Sequence, residues 1–392
     1  MGSSSAPVTT TERITSIDTL RGIAILGILV INIQSFSMPS VARWNPSQFG
    51  DFTGLNYVVW LFSHLFFEGK FIALFAFLFG AGVLLFMRHK EDGDRSAIRL
   101  HYRRTFWLLA IGLVHAYVFW DGDILVSYAL CASVVVWARH WSTEKIIAVG
   151  IVLYAVPFLV DFDQSLSLNM GQQISYWTAT ESDYAFQVQS LQGSWLTQMD
   201  YRVPRSYANQ TYSFVTMRIW NYCGMMLFGM GLFKWGLLSN SLSTSKYRQV
   251  AVLSTTLGLG TTLTGLGLLY YFDWSGGAGV VWPLFNYWGA PILAIGYASL
   301  VMLWCRSKIA TGVVSALSAV GRTALSNYLL QTLIATTVFY GHGFGLFAQV
   351  SRVEQFGLVL AIWVFQIGLS VLWLSRYDRG PAERAWRSLT YR

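Results

Sequence analysis

Ten separate stretches of this chain are apolar enough and long enough to be read as bilayer crossings, each needing about 17–25 mostly apolar residues. They cover residues 20–38, 56–87, 105–120, 124–138, 146–160, 212–233, 250–272, 282–304, 314–340 and 356–374. Only 12% of the residues are charged and 54% are hydrophobic, where a soluble domain carries about 25% charged residues. The surplus apolar surface must face lipid. The expected fold class is therefore all-α: a polytopic membrane bundle of about ten helices.

Two stretches depart from the usual length. The fifteen residues of 124–138 reach only about 22 Å as a helix, so the Asp121-Gly122-Asp123 turn before them is drawn toward the outer edge of the hydrocarbon. The 56–87 stretch would reach about 48 Å and is interrupted by Glu68-Gly69-Lys70. It reads as an interfacial or re-entrant piece leading into a crossing over 71–87.

Lys and Arg set the expected orientation. With both termini cytoplasmic, twenty of the 27 fall inside, and Arg43, Arg202, Arg205 and Arg352 fall outside. The net charge of +8 then reports topology and contact with anionic membrane lipids, and nucleic acid is excluded as a partner. Cys131, Cys223 and Cys305 sit in apolar stretches with no CxxC spacing, and the six histidines are scattered. Neither a disulfide framework nor a metal site is expected.

The chain divides into a Ser/Thr-rich tail (1–12), expected to be disordered, and two halves of the bundle (13–160, crossings one to five; 212–375, crossings six to ten). Between the halves lies an extracytoplasmic loop or lid (161–211). A cytoplasmic interfacial helix follows over 376–392, where Gly380-Pro381 stops one helix and starts another. The first apolar run begins behind about twenty polar residues with no A-x-A site after it, so no cleavable signal is expected. Leu78-Phe79-Gly80-x-Gly82 is echoed by Leu227-Phe228-Gly229-x-Gly231. That echo reads as glycine-mediated helix packing.

Ionisable groups at membrane depth mark candidate sites. His115 precedes the Asp121-Gly122-Asp123 turn by about one and a half helical turns, and the turn folds the next helix, with Tyr128, back toward it. Asp121 or Asp123 would then orient the imidazole for general-base work; the alternative is a histidine bonding a neighbouring helix beside an ordinary turn. Lys70, neutralised by Glu68 or Asp123, would bind an anionic group or stabilise an oxyanion, or serve as a structural ion pair. Asn32 on the first crossing would donate to a substrate carbonyl or bond across helices. Arg322, Asn327 and Gln331 form a polar stripe that either lines a cavity or joins helices.

Several of these stretches together resemble the bacterial YeiB family of inner-membrane proteins. The resemblance rests on Asp18-x-x-Arg21-Gly22, Lys70-Phe71 through Gly80-x-Gly82, His115, and Trp120-Asp121-Gly122-Asp123-Ile124-Leu125. It continues through Gly321-Arg322 to Gln331 and the Gly380-Pro381 to Thr390 tail. It implies a wider link to membrane-embedded acyltransferases of the heparan glucosaminide acetyltransferase type. From that link, His115 would be the acyl-accepting or base residue and Asp123 its partner. Arg99, Arg103 and Arg104 would receive the phosphates of acyl-CoA (acetyl-CoA), and a homodimer is implied. In one respect the chain departs from those relatives: no histidine follows the first crossing in a matching motif, although His64 is nearby.

The expectation is an enzyme that moves an acyl group, foremost acetyl, from acyl-CoA to an extracytoplasmic glycan or small-molecule acceptor. Two rivals stand beside it. One is a transporter or exporter of a small anionic or amphipathic solute using Lys70, His115 and Asp123. The other is a non-catalytic membrane protein whose polar groups only lock helices together.

Overall fold

The computed structural model describes residues 15–88, 94–166 and 177–391. The tail 1–12, Arg13, Lys90, Arg392 and the 167–176 part of the lid segment lie outside them. Among the described residues every regular element is a helix. The first half runs α1 (Thr15–Ser37), short α2 (Val41–Trp44), α3 (Gly54–Phe66), α4 (Lys70–Arg88), α5 (Asp94–Val114), α6 (Leu125–Val135) and α7 (Thr143–Leu166). Two polar helices follow, α8 (Glu181–Gln192) and α9 (Thr197–Gln210). The second half holds α10 (Ile219–Trp235), α11 (Thr244–Tyr271), α12 (Gly276–Ser307), α13 (Thr311–Arg322), α14 (Ala324–Phe339), α15 (Arg352–Leu374) and α16 (Pro381–Tyr391).

Six segments are long and apolar enough to cross a membrane: Thr15–Ser37, Gly54–Met87, Thr143–Asp163, Thr244–Tyr271, Gly276–Ser307 and Arg352–Leu374. The other four apolar stretches are helical too but fall short on length or hydropathy. The α5 helix carries Arg99, His101, Arg103 and Arg104 in its first half, α6 has 11 residues and α10 has 17. The fourth, 314–340, is not the single helix its sequence suggests.

That stretch breaks at Thr323, between α13 and α14. Glu383 of α16 causes the restart from a distance. Its Oε1 accepts from the amides of Leu325 (2.7 Å) and Ser326 (3.2 Å), and its Oε2 takes the Ser326 hydroxyl. A carboxylate on the free amides of a first turn is the standard stabilisation of a helix start. The Gly54–Met87 segment also bends, between α3 and α4, where Gly69 has φ +79°. Glycine enters that left-handed conformation without a Cβ penalty.

The core joins α1, α4, α6 and α10 around residues such as Leu20, Leu74, Phe77, Cys131 and Met226. The glycine echo has a physical basis there. A Cβ on Gly80 would stand 2.0 Å from the Met226 carbonyl oxygen, and one on Gly229 would stand 2.0 Å from that of Phe77. The two glycines therefore let α4 and α10 meet backbone to backbone, the close approach expected where helices associate by packing in lipid.

Candidate functional site

The α5 helix ends in a single π-helical turn, His115–Phe119. Such a turn inserts one residue into the helix and frees backbone groups, and it recurs at functional sites. Carbonyls of this turn and of the bend after it have partners from α9. The Ser206 hydroxyl donates to the Ala116 oxygen (2.9 Å), Arg202 Nη1 to that of Val118 (2.6 Å), and Asn209 Nδ2 to that of Asp121 (3.1 Å). Residues 202, 206 and 209 share one helix face, so α9 clamps the turn as a unit.

The turn aims the His115 ring inward. Its Nδ1 lies 2.8 Å from Asp123 Oδ1 and its Nε2 lies 2.9 Å from Thr332 Oγ1. His115 is 2% exposed and Asp123 4%. With an ionised carboxylate, which only accepts, the tautomer that fits both contacts donates through Nδ1 and accepts the Thr332 hydroxyl at Nε2. Asp123 is fixed in turn through Oδ2, which accepts from the Val126 amide (2.8 Å) at the start of α6. Asp121 is placed elsewhere: its carboxylate meets Arg205 Nε at 3.1 Å in a partly exposed pair. Two residues apart along the turn, the two carboxylates meet different partners, and only Asp123 reaches the imidazole.

Tyr328, one helical turn before Thr332 on α14, packs its ring 5.0 Å from that of His115 and accepts from the Ile124 amide (3.3 Å). On its other side lies a cavity of about 390 Å³ enclosed by α1, α4, α5, α13, α14 and α16. Its inner end is formed by Tyr328 and by Leu125, two residues after Asp123; its walls include Phe75, Leu78, Phe79, Gly82 and Leu108. At the end lined by residues of both α1 and α16, it carries Arg21, Arg104, Arg322, Arg379 and Arg387, with Asp18 and Glu383. Both carboxylates have their own partners, Asp18 in Arg21 (2.6 Å) and Glu383 in the start of α14. Five guanidinium groups against two carboxylates leave a positive mouth suited to phosphate.

Arg104 is held flat between the Phe86 ring (4.9 Å) and the Trp386 ring (4.7 Å). Along α5, His115 lies eleven residues further on, about 16 Å at the helical rise. Arg99 and Arg103 are both exposed and do not line the cavity, and Arg103 donates to the Leu389 carbonyl (3.1 Å). Of the three arginines expected at the phosphates, Arg104 is the one that lines the cavity. Arg21, Arg322, Arg379 and Arg387 line it as well.

The remaining polar residues fall into two other groups. Asn327 Nδ2 donates to Thr323 Oγ1 (2.9 Å) and Ser370 Oγ (3.0 Å); Gln331 Nε2 donates to the Ile25 carbonyl (3.2 Å) and to Gln366 Oε1 (3.0 Å). Both tie α14 to neighbouring helices and neither lines the cavity. Tyr128, fully buried, donates to the Ile72 carbonyl at 3.2 Å and packs on Phe75 and Phe79. Asn32 is half-buried on α1 and joins neither group.

At the α3–α4 bend, Lys70 is 0% exposed and donates to the His64 carbonyl (2.9 Å) and Asn286 Oδ1 (2.5 Å). Neither Glu68 nor Asp123 takes its hydrogen bonds. The Glu68 carboxylate instead meets His64 Nδ1 at 2.5 Å. His64 packs between Trp60 and Trp282. This second histidine–carboxylate pair went unread in the sequence, although its i, i+4 spacing on one helix face was visible there.

A family model described as "Protein of unknown function (DUF418)" matches residues 232–392. Over nearly the whole length, the chain is 33% identical to "Uncharacterized protein YeiB" of Escherichia coli (strain K12), covering 97% of each chain. It is 30% identical to "Uncharacterized protein YxaH" of Bacillus subtilis (strain 168), covering 99% of this chain and 97% of that one. A third relative, from Bacillus acidopullulyticus, is 28% identical over 98% of this chain and 96% of its own.

Proposed function

We propose, from the premise that the chain belongs to the YeiB family, that it is a multi-pass inner-membrane acyltransferase. It carries an acyl group, foremost acetyl, from acyl-CoA on the cytoplasmic side to an extracytoplasmic glycan or small hydroxyl- or amine-bearing acceptor. The chain crosses the bilayer about ten times with both termini inside. The observation that carries this reading is the alignment of parts along α5 and α14. An arginine-rich mouth, an apolar cavity and the Tyr328 partition lead in order to an imidazole whose tautomer a buried carboxylate sets.

In this reading Arg104 and Arg322 hold donor phosphates, acting as planar forks suited to them, and the apolar walls take the pantetheine arm and acyl group. His115 removes the proton of the attacking group through Nε2, while Asp123 stays ionised and stabilises the imidazolium that forms. The buried setting strengthens that charge pairing. Inverted membrane vesicles given acetyl-CoA labelled in the acetyl group provide the test. Label should reach acceptors in the vesicle lumen, and His115→Ala should abolish it; label confined to the outer medium with the wild type would contradict the reading.

Transport is the second reading. It is favoured by the fully buried Lys70 at a bend between two helices within an apolar segment, an arrangement that recurs at solute sites. Proteoliposomes that accumulate a small anionic solute down a proton gradient, and lose this with Lys70→Met but not with His115→Ala, would decide for it.

A further inference from the structure

We infer that Thr332 is the nucleophile, carrying the acyl group as an ester on Oγ1 between donor and acceptor, with His115 as its base. The inference rests on the acyltransferase reading and adds to it the atom that holds the acyl group.

The starting observation is how Thr332 spends its hydroxyl. A threonine inside a helix ordinarily bonds back to the carbonyl one turn earlier. Its neighbours on α14 do so: Thr336 Oγ1 lies 2.9 Å from the Thr332 carbonyl and Thr337 Oγ1 lies 2.7 Å from that of Leu333. In Thr332 that bond is stretched: its oxygen stands 3.5 Å from the Tyr328 carbonyl but 2.9 Å from His115 Nε2. The shorter of the two contacts is the one to the imidazole.

The second observation is the order of the three groups. Asp123 Oδ1, His115 Nδ1, His115 Nε2 and Thr332 Oγ1 form a chain with contacts of 2.8 and 2.9 Å on the two sides of one ring. An orienting carboxylate, a base and a hydroxyl within hydrogen-bond reach are the geometric signature of an activated nucleophile. All three side chains are closed to solvent, which protects an ester from water.

The third is access. Tyr328 and Thr332 are four residues apart on α14 and share a face. Tyr328 forms the inner end of the cavity, so Thr332 stands one turn beyond it along the same axis. Displacement of the Tyr328 ring would open the cavity toward Thr332.

The chemistry closes on these atoms. Thr332 gives its proton to His115 Nε2 as Oγ1 bonds to the thioester carbonyl carbon; the carbon–sulfur bond breaks and Nε2 returns the proton to the departing thiolate as CoA-SH. In the second half, Nε2 takes the proton of an acceptor hydroxyl, whose oxygen bonds to the acyl carbon. The Thr332 ester bond breaks and Oγ1 recovers the proton.

The test uses the full chain in detergent with acetyl-CoA labelled in the acetyl group and no acceptor, quenched in acid and mapped by peptide mass spectrometry. The expected result is an acid-stable acetyl ester on residue 332, released by hydroxylamine. It should be retained in Thr332→Ser and absent in Thr332→Val, and Thr332→Val should lower acetyl transfer at least a hundredfold at unchanged acetyl-CoA affinity. Unaltered affinity and elution of the valine variant show that it folds. Wild-type transfer that persists in Thr332→Val, or label found on His115, would overturn Thr332 as nucleophile while leaving acyl transfer standing. A wild type that releases no CoA from acetyl-CoA under any condition would overturn both.

Discussion

Asp123 meets two donors from opposite sides, His115 Nδ1 on one oxygen and the Val126 amide on the other, so one carboxylate both orients the imidazole and caps the helix that follows. Asparagine keeps a single acceptor oxygen and can serve only one of them. Asp123→Asn should therefore lower acetyl transfer about 10²–10⁴-fold, the range attributed to a positioned general base. It should also cost about 1–3 kcal/mol of stability through the donor left unpaired. Steady-state transfer rates and thermal unfolding in detergent check both parts.

The neighbouring aspartate should behave differently. Asp121 pairs with Arg205, whose side chain is 46% exposed, and partly solvated pairs contribute about 0–1 kcal/mol. Asp121→Asn should leave the transfer rate within about threefold and shift stability by less than about 1 kcal/mol. A loss as large as that of Asp123→Asn would show that the two carboxylates act together on His115.

Two glycines two residues apart on α4 separate cavity from packing. A Cβ on Gly82 meets nothing within 4 Å, and this glycine lines the cavity. Gly82→Leu should therefore raise the KM for acetyl-CoA at least tenfold while leaving the fold intact. Gly80→Ala drives a methyl into the Met226 carbonyl of α10, and overpacking of that kind costs about 1–3 kcal/mol. Thermal midpoints should fall for Gly80→Ala alone.

The arginines of α5 make a third contrast. Arg104 faces the cavity and Arg99 does not. A hydrogen bond to a charged group contributes about 1.5–3 kcal/mol, so Arg104→Gln should raise the KM for acetyl-CoA about ten- to a hundredfold. Arg99→Gln should change it less than twofold. The Arg104 effect should shrink as salt rises, since screening weakens phosphate attraction.

The parts of this site differ in how far the sequence exposes them. His115 and Asp123 stand out because ionisable groups in apolar surroundings are costly and so conspicuous. Thr332 carries no such mark: a threonine in an apolar run is ordinary, and its role appears only when α14 is set against the π turn. Arg99 and Arg103 are one turn apart and share an outward face, whereas Arg104 is rotated about 100° from its neighbour into the cavity. Counting charges in a cluster could not make that distinction. The α13–α14 break was hidden for a similar reason, because the carboxylate that starts α14 comes from Glu383, nearly sixty residues later. The α4–α10 contact was open to sequence reading because its glycines repeat in one motif, and close packing of backbones demands that residue at both places.

The account stands on His115 acting on a thioester delivered through the arginine-lined cavity. The most direct measurement is release of the CoA thiol from acetyl-CoA by the purified chain, wild type beside His115→Ala, with acetyl-CoA binding measured on the same samples. The account predicts a burst of thiol release from the wild type as the acyl group loads onto the protein, a rate at least a hundredfold lower in the variant, and binding that stays within about twofold. Equal thiol release from both proteins would contradict it.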